Sequence, residues 1–168
     1  MYKRQIQQDE PFNMQLYPKL EKVYICPKIY YHYVIYVKEN AGSKYLKNKD
    51  KVITDVYHKF IEFYKEWNLD DNRVWKYINH RYVNGIFEVV TETYFHKDCQ
   101  LSKQQRYRRI DRVIHAEELI KALKISEMKY EKNPINNLQK WSFNHRKTKL
   151  LIWSTVVKKW LKGEVNGI

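Results

Sequence analysis

The sequence predicts an α+β fold: an antiparallel sheet of about four strands (two hairpins), with an intervening helix and two C-terminal helices packed on it. Three observations carry that expectation. Two runs dense in β-branched and aromatic residues lie before residue 40. An Asn84-Gly85 dipeptide separates two further β-rich runs. Beyond residue 97, apolar residues recur at helical spacing.

Taken in order, residues 1–20 read as an irregular arm, because Pro11 and Pro18 interrupt any regular element. Residues 23–26 and 29–38 read as strands. In the second, Ile29, Tyr31, Tyr33, Ile35 and Val37 share one face, and Tyr30, His32, Val34 and Tyr36 the other. With both faces covered, a central strand is the natural reading. If its edge were exposed, it would pair with a second copy and give a homo-oligomer. A polar turn around Gly42 follows, with Asp50 placed to cap the next helix. Ile53, Val56, Phe60, Phe63 or Tyr64, and Trp67 trace the apolar stripe of a helix over about 51–67, which the Asn68-Leu-Asp-Asp-Asn cluster ends.

Asn-Gly is the preferred pair for a two-residue hairpin turn, so residues 73–83 and 86–96 are expected to pair with Val83 opposite Ile86. That register sets Arg81 against Glu88, Tyr82 against Phe87, Trp75 against Tyr94 and Val74 against Phe95. Ser102 and Gln105 match a capping box, and Ile110, Val113, Ala116, Ile120 and Leu123 continue one helix to about residue 125. Asn133-Pro134 breaks the run. A last helix over about 147–162 carries Leu150, Trp153, Val157 and Trp160 as its apolar stripe. Lys158, Lys159 and Lys162 suit its C-terminal dipole, and Gly163 its stop. The whole chain, 1–168, then forms one basic α+β domain: the arm at 1–20, a β-rich scaffold with one helix at 21–96, and a basic helical part at 97–168.

The composition is that of a globular chain, 43% apolar with only four Gly and four Pro in 168 residues. The polar first ten residues and the lack of a membrane-length apolar run point to an intracellular, non-secreted protein without a transmembrane segment. Cys26 and Cys99 are too few for a disulfide framework and read as free thiols. Frequent Lys, Ile, Tyr and Asn, all with AT-rich codons, suit a virus, an organelle or an AT-rich microbe.

Charge is the most informative property. The chain carries +13 overall. Residues 1–96 hold 15 Lys and Arg against 12 Asp and Glu, a net of +3, and residues 97–168 hold 17 against 7, a net of +10. A basic excess concentrated in one part attracts polyanions through long-range attraction and counterion release.

Two segments carry it. Lys103, Arg106, Arg108, Arg109 and Arg112 fall in the opening turns of a helix, with Asp111 the only offset. Cations there oppose the helix dipole at about 0.3–1 kcal/mol each. An external anion would repay that cost, and arginine's fork suits phosphate. A solvated helix face is the plainer explanation, which the concentration of charge outweighs. The second segment is 141–149, where Trp141 and Phe143 precede His145, Arg146, Lys147 and Lys149. Bases stack on such rings while the cations hold the backbone. Each ring taken singly is better read as a core anchor.

These segments predict a non-enzymatic nucleic-acid-binding protein, for DNA or RNA, with contacts largely independent of sequence. A viral DNA-associated or an organellar ribosome-associated protein would fit, and no cofactor is required. A metal-dependent nuclease is the alternative. Glu88, Glu92 and His96 share one face of the second hairpin strand and, with a fourth ligand, would hold Mg²⁺ or Mn²⁺ as a catalytic centre. Outer-face residues with Arg81 opposite Glu88 explain them more simply. A second alternative makes the last helix, basic, amphipathic and Trp-bearing, a membrane-surface or partner-docking element.

Weaker constellations complete the reading. His58, Glu62 and Glu66 lie at helical spacing but opposite the apolar stripe. His96, Cys99, Cys26 and His32 lack the paired CxxC spacing of a zinc site, so no metal is assigned. Glu127-Met-Lys129 resembles a nuclease ExK but falls outside any expected strand. A helix-turn-helix over 117–140 is weakened by Asn133-Pro134 and by Lys124 where a small residue belongs. P-loop, GxGxxG, HExxH and GxSxG motifs are absent from the sequence.

Overall fold

The computed structural model describes Asn13, Lys19, Leu20, Lys22, residues 45–69 and residues 71–164. Six α-helices and one 3-10 turn make up the larger parts: α1 (Lys49–Glu66), α2 (Asn72–Thr91), the 3-10 turn (Thr93–Phe95), α3 (Lys103–Ile114), α4 (Glu117–Ile125), α5 (Pro134–Asn144) and α6 (Thr148–Leu161). No strand occurs among the described residues, so the expected α+β sheet is corrected to an all-helical architecture. The strands expected at 23–26 and 29–38 lie outside the described residues, as does nearly all of the arm at 1–20.

The hairpin is the main correction. Residues 73–83 and 86–96 form a single 20-residue helix, α2, followed by the 3-10 turn, with Asn84 and Gly85 in the helix interior. Asp71 caps α2 by accepting from the Arg73 N–H at 2.8 Å. Ile78, Tyr82, Val83, Ile86, Val89 and Val90 are all buried, a spacing of three and four that only a helix turns to one side. Gly85 has a different use from the one its dipeptide suggests. A Cβ there would lie 3.1 Å from Ile53 Cγ2, so the missing side chain lets α1 and α2 cross closely. The proposed register goes with the hairpin: Glu88 pairs with Lys49 of α1 at 2.5 Å, and the Arg81 guanidinium lies over the Phe60 ring.

Helix α2 is the central element, packed on α1, α4 and α6. Helix α1 matches expectation closely, although Asn48 rather than Asp50 occupies its N-cap position. It ends in a Schellman motif: Asn68 takes φ +46, and the N–H groups of Asn68 and Leu69 bond the carbonyls of Lys65 and Tyr64.

The expected single helix to residue 125 is two helices. Ser102 and Gln105 do form the full capping box of α3, but α3 stops at Ile114. Ala116 is extended and becomes the N-cap of α4, whose first turn carries Glu117 and Glu118. The break rotates the core stripe, and Ile110, Ile114, Leu119, Ala122 and Leu123 are the buried residues. Asn133-Pro134 starts a helix as well as ending a run: the Asn133 side chain accepts from Ile135 N–H and Asn136 N–H, and Pro134 takes the first helical position.

Helix α6 falls where expected and stops at Gly163, φ +71, through a second Schellman pair to Trp160 and Lys159. Its buried face differs from expectation. Thr148, Leu151, Ser154, Thr155 and Lys159 are buried, while Trp153 is 56% and Trp160 59% exposed. Lys159 reaches the rim of the core with its ammonium on Glu92 (2.8 Å) and Glu164 (3.3 Å). Among the described residues no helix is long and apolar enough to cross a membrane.

Candidate nucleic-acid interface

Two structural devices bring the basic segments together. The first is the junction of α5 and α6, a tight turn through His145, Arg146 and Lys147. Arg146 adopts φ +54, and the N–H groups of Arg146 and Lys147 bond the carbonyls of Phe143 (3.0 Å) and Ser142 (2.7 Å). This is a Schellman motif with arginine where glycine is usual. The second device is a hydrogen bond from Thr148 Oγ1 to Asp111 Oδ1, 2.5 Å, which pins the start of α6 to α3.

Between them lies an open groove of about 470 Å³. Helix α3 supplies Tyr107 and Asp111, and its C-cap residue His115 follows one turn on. Helix α5 supplies Trp141, and the turn supplies Arg146 and Lys147. Thr148, Lys149 and Leu150 complete it from α6. Three cations thus line the groove against a single carboxylate, and that carboxylate already accepts the Thr148 hydroxyl.

The five cations of α3 divide in two. Arg109 donates to Asp50 Oδ1 and Asn48 Oδ1, both at 3.2 Å, and lies over the Tyr94 ring, so it ties α3 to the start of α1. The Arg106 guanidinium lies 4.9 Å from the Phe95 centroid, with its Nε buried and lacking a hydrogen-bond partner among the described residues. These two are committed to packing. Lys103, Arg108 and Arg112 are exposed. At about 100° per residue, Arg108 and Arg112 are turned around α3 from Tyr107 and Asp111, and neither is among the residues lining the groove.

In the second segment the two rings part company. Phe143 is fully buried, edge-on to Phe87. Trp141 is 38% exposed and stacks on His145, centroids 4.5 Å apart and planes at 21°.

The nuclease candidates are placed apart from this groove. Glu88 pairs with Lys49, Glu92 with Lys159, and His96 stacks on Tyr45 near Asp98. No group of three His, Cys, Asp or Glu side chains able to hold a metal occurs among the described residues. Cys99 is a free thiol that accepts the Tyr45 hydroxyl at 3.5 Å, and burial together with this thiol pushes the Tyr45 phenol up to about 12. Cys26 and His32 lie outside the described residues. His58 pairs with Glu118 at 2.7 Å, and Glu62 and Glu66 are exposed on α1. Glu127 and Lys129 sit in the loop between α4 and α5. That loop also fills the place where a helix-turn-helix over 117–140 needs a tight turn.

Sequence reasoning missed the α3 wall of the groove. Tyr107, Asp111 and His115 recur every four residues, a legible spacing, but their partner wall lies some 35 residues on in sequence and only the tertiary fold supplies it. Comparison with protein-family models, with characterised protein sequences and with solved structures gave no match to this chain.

Proposed function

We propose that this protein binds nucleic acid through the groove between α3 and the α5–α6 turn, holding phosphates with little regard to base sequence. One observation carries the reading: Trp141, Arg146, Lys147 and Lys149 of the second basic segment line one concavity whose other wall is Tyr107, Asp111 and His115, far apart in sequence. Arg146, Lys147 and Lys149 stand beside an accessible indole, and Arg108 and Arg112 are exposed on the neighbouring α3. Cations clustered with an aromatic surface are the recurrent means of holding a polyanion that also presents flat bases.

The test uses the variant Arg108→Gln, Arg112→Gln, Lys147→Gln, Lys149→Gln. All four side chains belong to exposed positions, and none takes part in an ion pair among the described residues. Affinity for an unrelated-sequence oligonucleotide is expected to fall, and the slope of log affinity against log salt to flatten by about 1 per lost phosphate contact. An unchanged slope with unchanged affinity rejects the assignment.

The outer face of α6 favours a second reading. Leu150, Trp153, Val157, Trp160 and Leu161 share that side of the helix, and Trp153, Trp160 and Leu161 are among the most exposed large apolar residues described. Lys149 lies at one end of the stripe and Lys162 at the other. A second copy would set like charges against each other, whereas an anionic bilayer complements them and accepts tryptophan at its interface. Co-sedimentation with vesicles of mixed zwitterionic and anionic lipid is expected, and Trp153→Ser, Trp160→Ser is expected to abolish it. Equal recovery with purely zwitterionic vesicles, or none with either, removes this reading.

A further inference from the structure

We infer that the groove takes a single strand rather than a duplex, with one base stacked on the face of the Trp141 indole opposite His145 and the adjoining phosphates on Arg146, Lys147 and Lys149. The inference rests on the nucleic-acid reading and specifies its ligand.

Four features converge on it. Trp141 lines the groove, while His145, stacked on the same indole at 4.5 Å, does not. The imidazole covers one face of the ring, and the base is placed on the other. His145 Nδ1 also donates to the Trp141 carbonyl at 2.9 Å, which holds the backing ring in place. Second, the Schellman turn fixes the backbone of Arg146 and Lys147 directly after this stacked pair, so cations and ring are held as one unit. Third, the groove, about 470 Å³, falls in the range of roughly 300–1,000 Å³ typical of clefts for small ligands. Fourth, these cations line a concavity. A duplex is read by an element protruding into its groove, whereas an unpaired strand can turn a base into a cleft.

The proposal is tested by fluorescence anisotropy at one fixed salt concentration with three labelled probes: a short oligothymidylate, an abasic strand of equal length, and a duplex of equal length. The proteins are the parent chain, Trp141→Phe and Trp141→Ala. The parent is expected to bind oligothymidylate more tightly than the abasic strand or the duplex. Trp141→Ala is expected to weaken oligothymidylate binding about tenfold while leaving the abasic strand unaffected, because a stacked base contributes at this order. Trp141→Phe retains most of the affinity, and an unchanged thermal midpoint verifies that both variants fold. Equal binding of the abasic strand and oligothymidylate, preference for the duplex, or unchanged oligothymidylate binding by Trp141→Ala overturns the single-strand inference and leaves phosphate binding standing. Failure of the parent to bind any of the three probes overturns both.

Discussion

Arg146 occupies a backbone conformation that costs an L-residue about 1–2 kcal/mol and glycine almost nothing. The turn it closes is the same Schellman device found at Asn68 and Gly163, where residue types suited to positive φ stand. Arg146 also lines the groove. A residue poor for the turn but suited to a phosphate is what a functional position looks like, and the two roles separate in one substitution. Arg146→Gly is expected to leave the thermal midpoint unchanged or raise stability by up to about 1 kcal/mol while weakening oligonucleotide binding. A parallel loss of stability would assign the arginine to the fold instead. In the sequence this position is legible only as one cation among several, because its φ is set by the α5–α6 junction. Trp141 and Phe143 teach the same lesson: two residues apart, one is buried in the core and the other half-open on the groove, and only the orientation of α5 decides which.

At the scale of elements, local preference and tertiary packing disagree most at α2. Its β-branched and aromatic residues and its Asn84-Gly85 pair all favour a hairpin, yet eight of its residues are buried and their spacing is helical. Intrinsic preferences amount to about 1 kcal/mol per residue or less, whereas each large apolar side chain fully buried contributes about 1.5–3 kcal/mol, so packing on α1 and α4 prevails. Gly85 lies at the crossing with α1. Gly85→Val is expected to destabilise by about 1–3 kcal/mol, read as a lowered denaturation midpoint, because its side chain meets Ile53. Gly85→Ala is the milder case, in which better helix propensity offsets a contact at 3.1 Å. A valine variant as stable as the parent would show that α1 and α2 do not cross there. Elements whose signals are purely local, such as the capping box of α3, the stop of α1 at Asn68 and the stop of α6 at Gly163, follow the sequence reading closely. The apolar stripe of α6 does not, since Trp153 and Trp160 face outward while Thr148, Ser154 and Thr155 are buried. Threonine and serine can be buried there because their hydroxyls find acceptors: Ser154 and Thr155 donate to the Leu151 carbonyl and Thr148 to Asp111.

For the whole molecule, the charge is what the sequence alone specifies. A net of +13, with +10 of it in residues 97–168, is a sum over residues that no folding can alter. The four-substitution variant acts at this scale, removing four of those charges, so its signature is the salt dependence of binding rather than stability. The division of labour among the cations was not readable in advance. Arg106 and Arg109 belong to the same cluster as Arg108 and Arg112, yet Phe95, Asp50 and Asn48, distant in sequence, draw the first two into packing. The sequence by itself determined the charge, the helical C-terminal part and the helix ends marked by capping residues, because these depend on composition or on neighbours within one turn. Only the tertiary structure decided that residues 72–91 form a helix, which face of α6 is covered, and that α3 and the α5–α6 turn share one groove, because each depends on burial against side chains far along the chain.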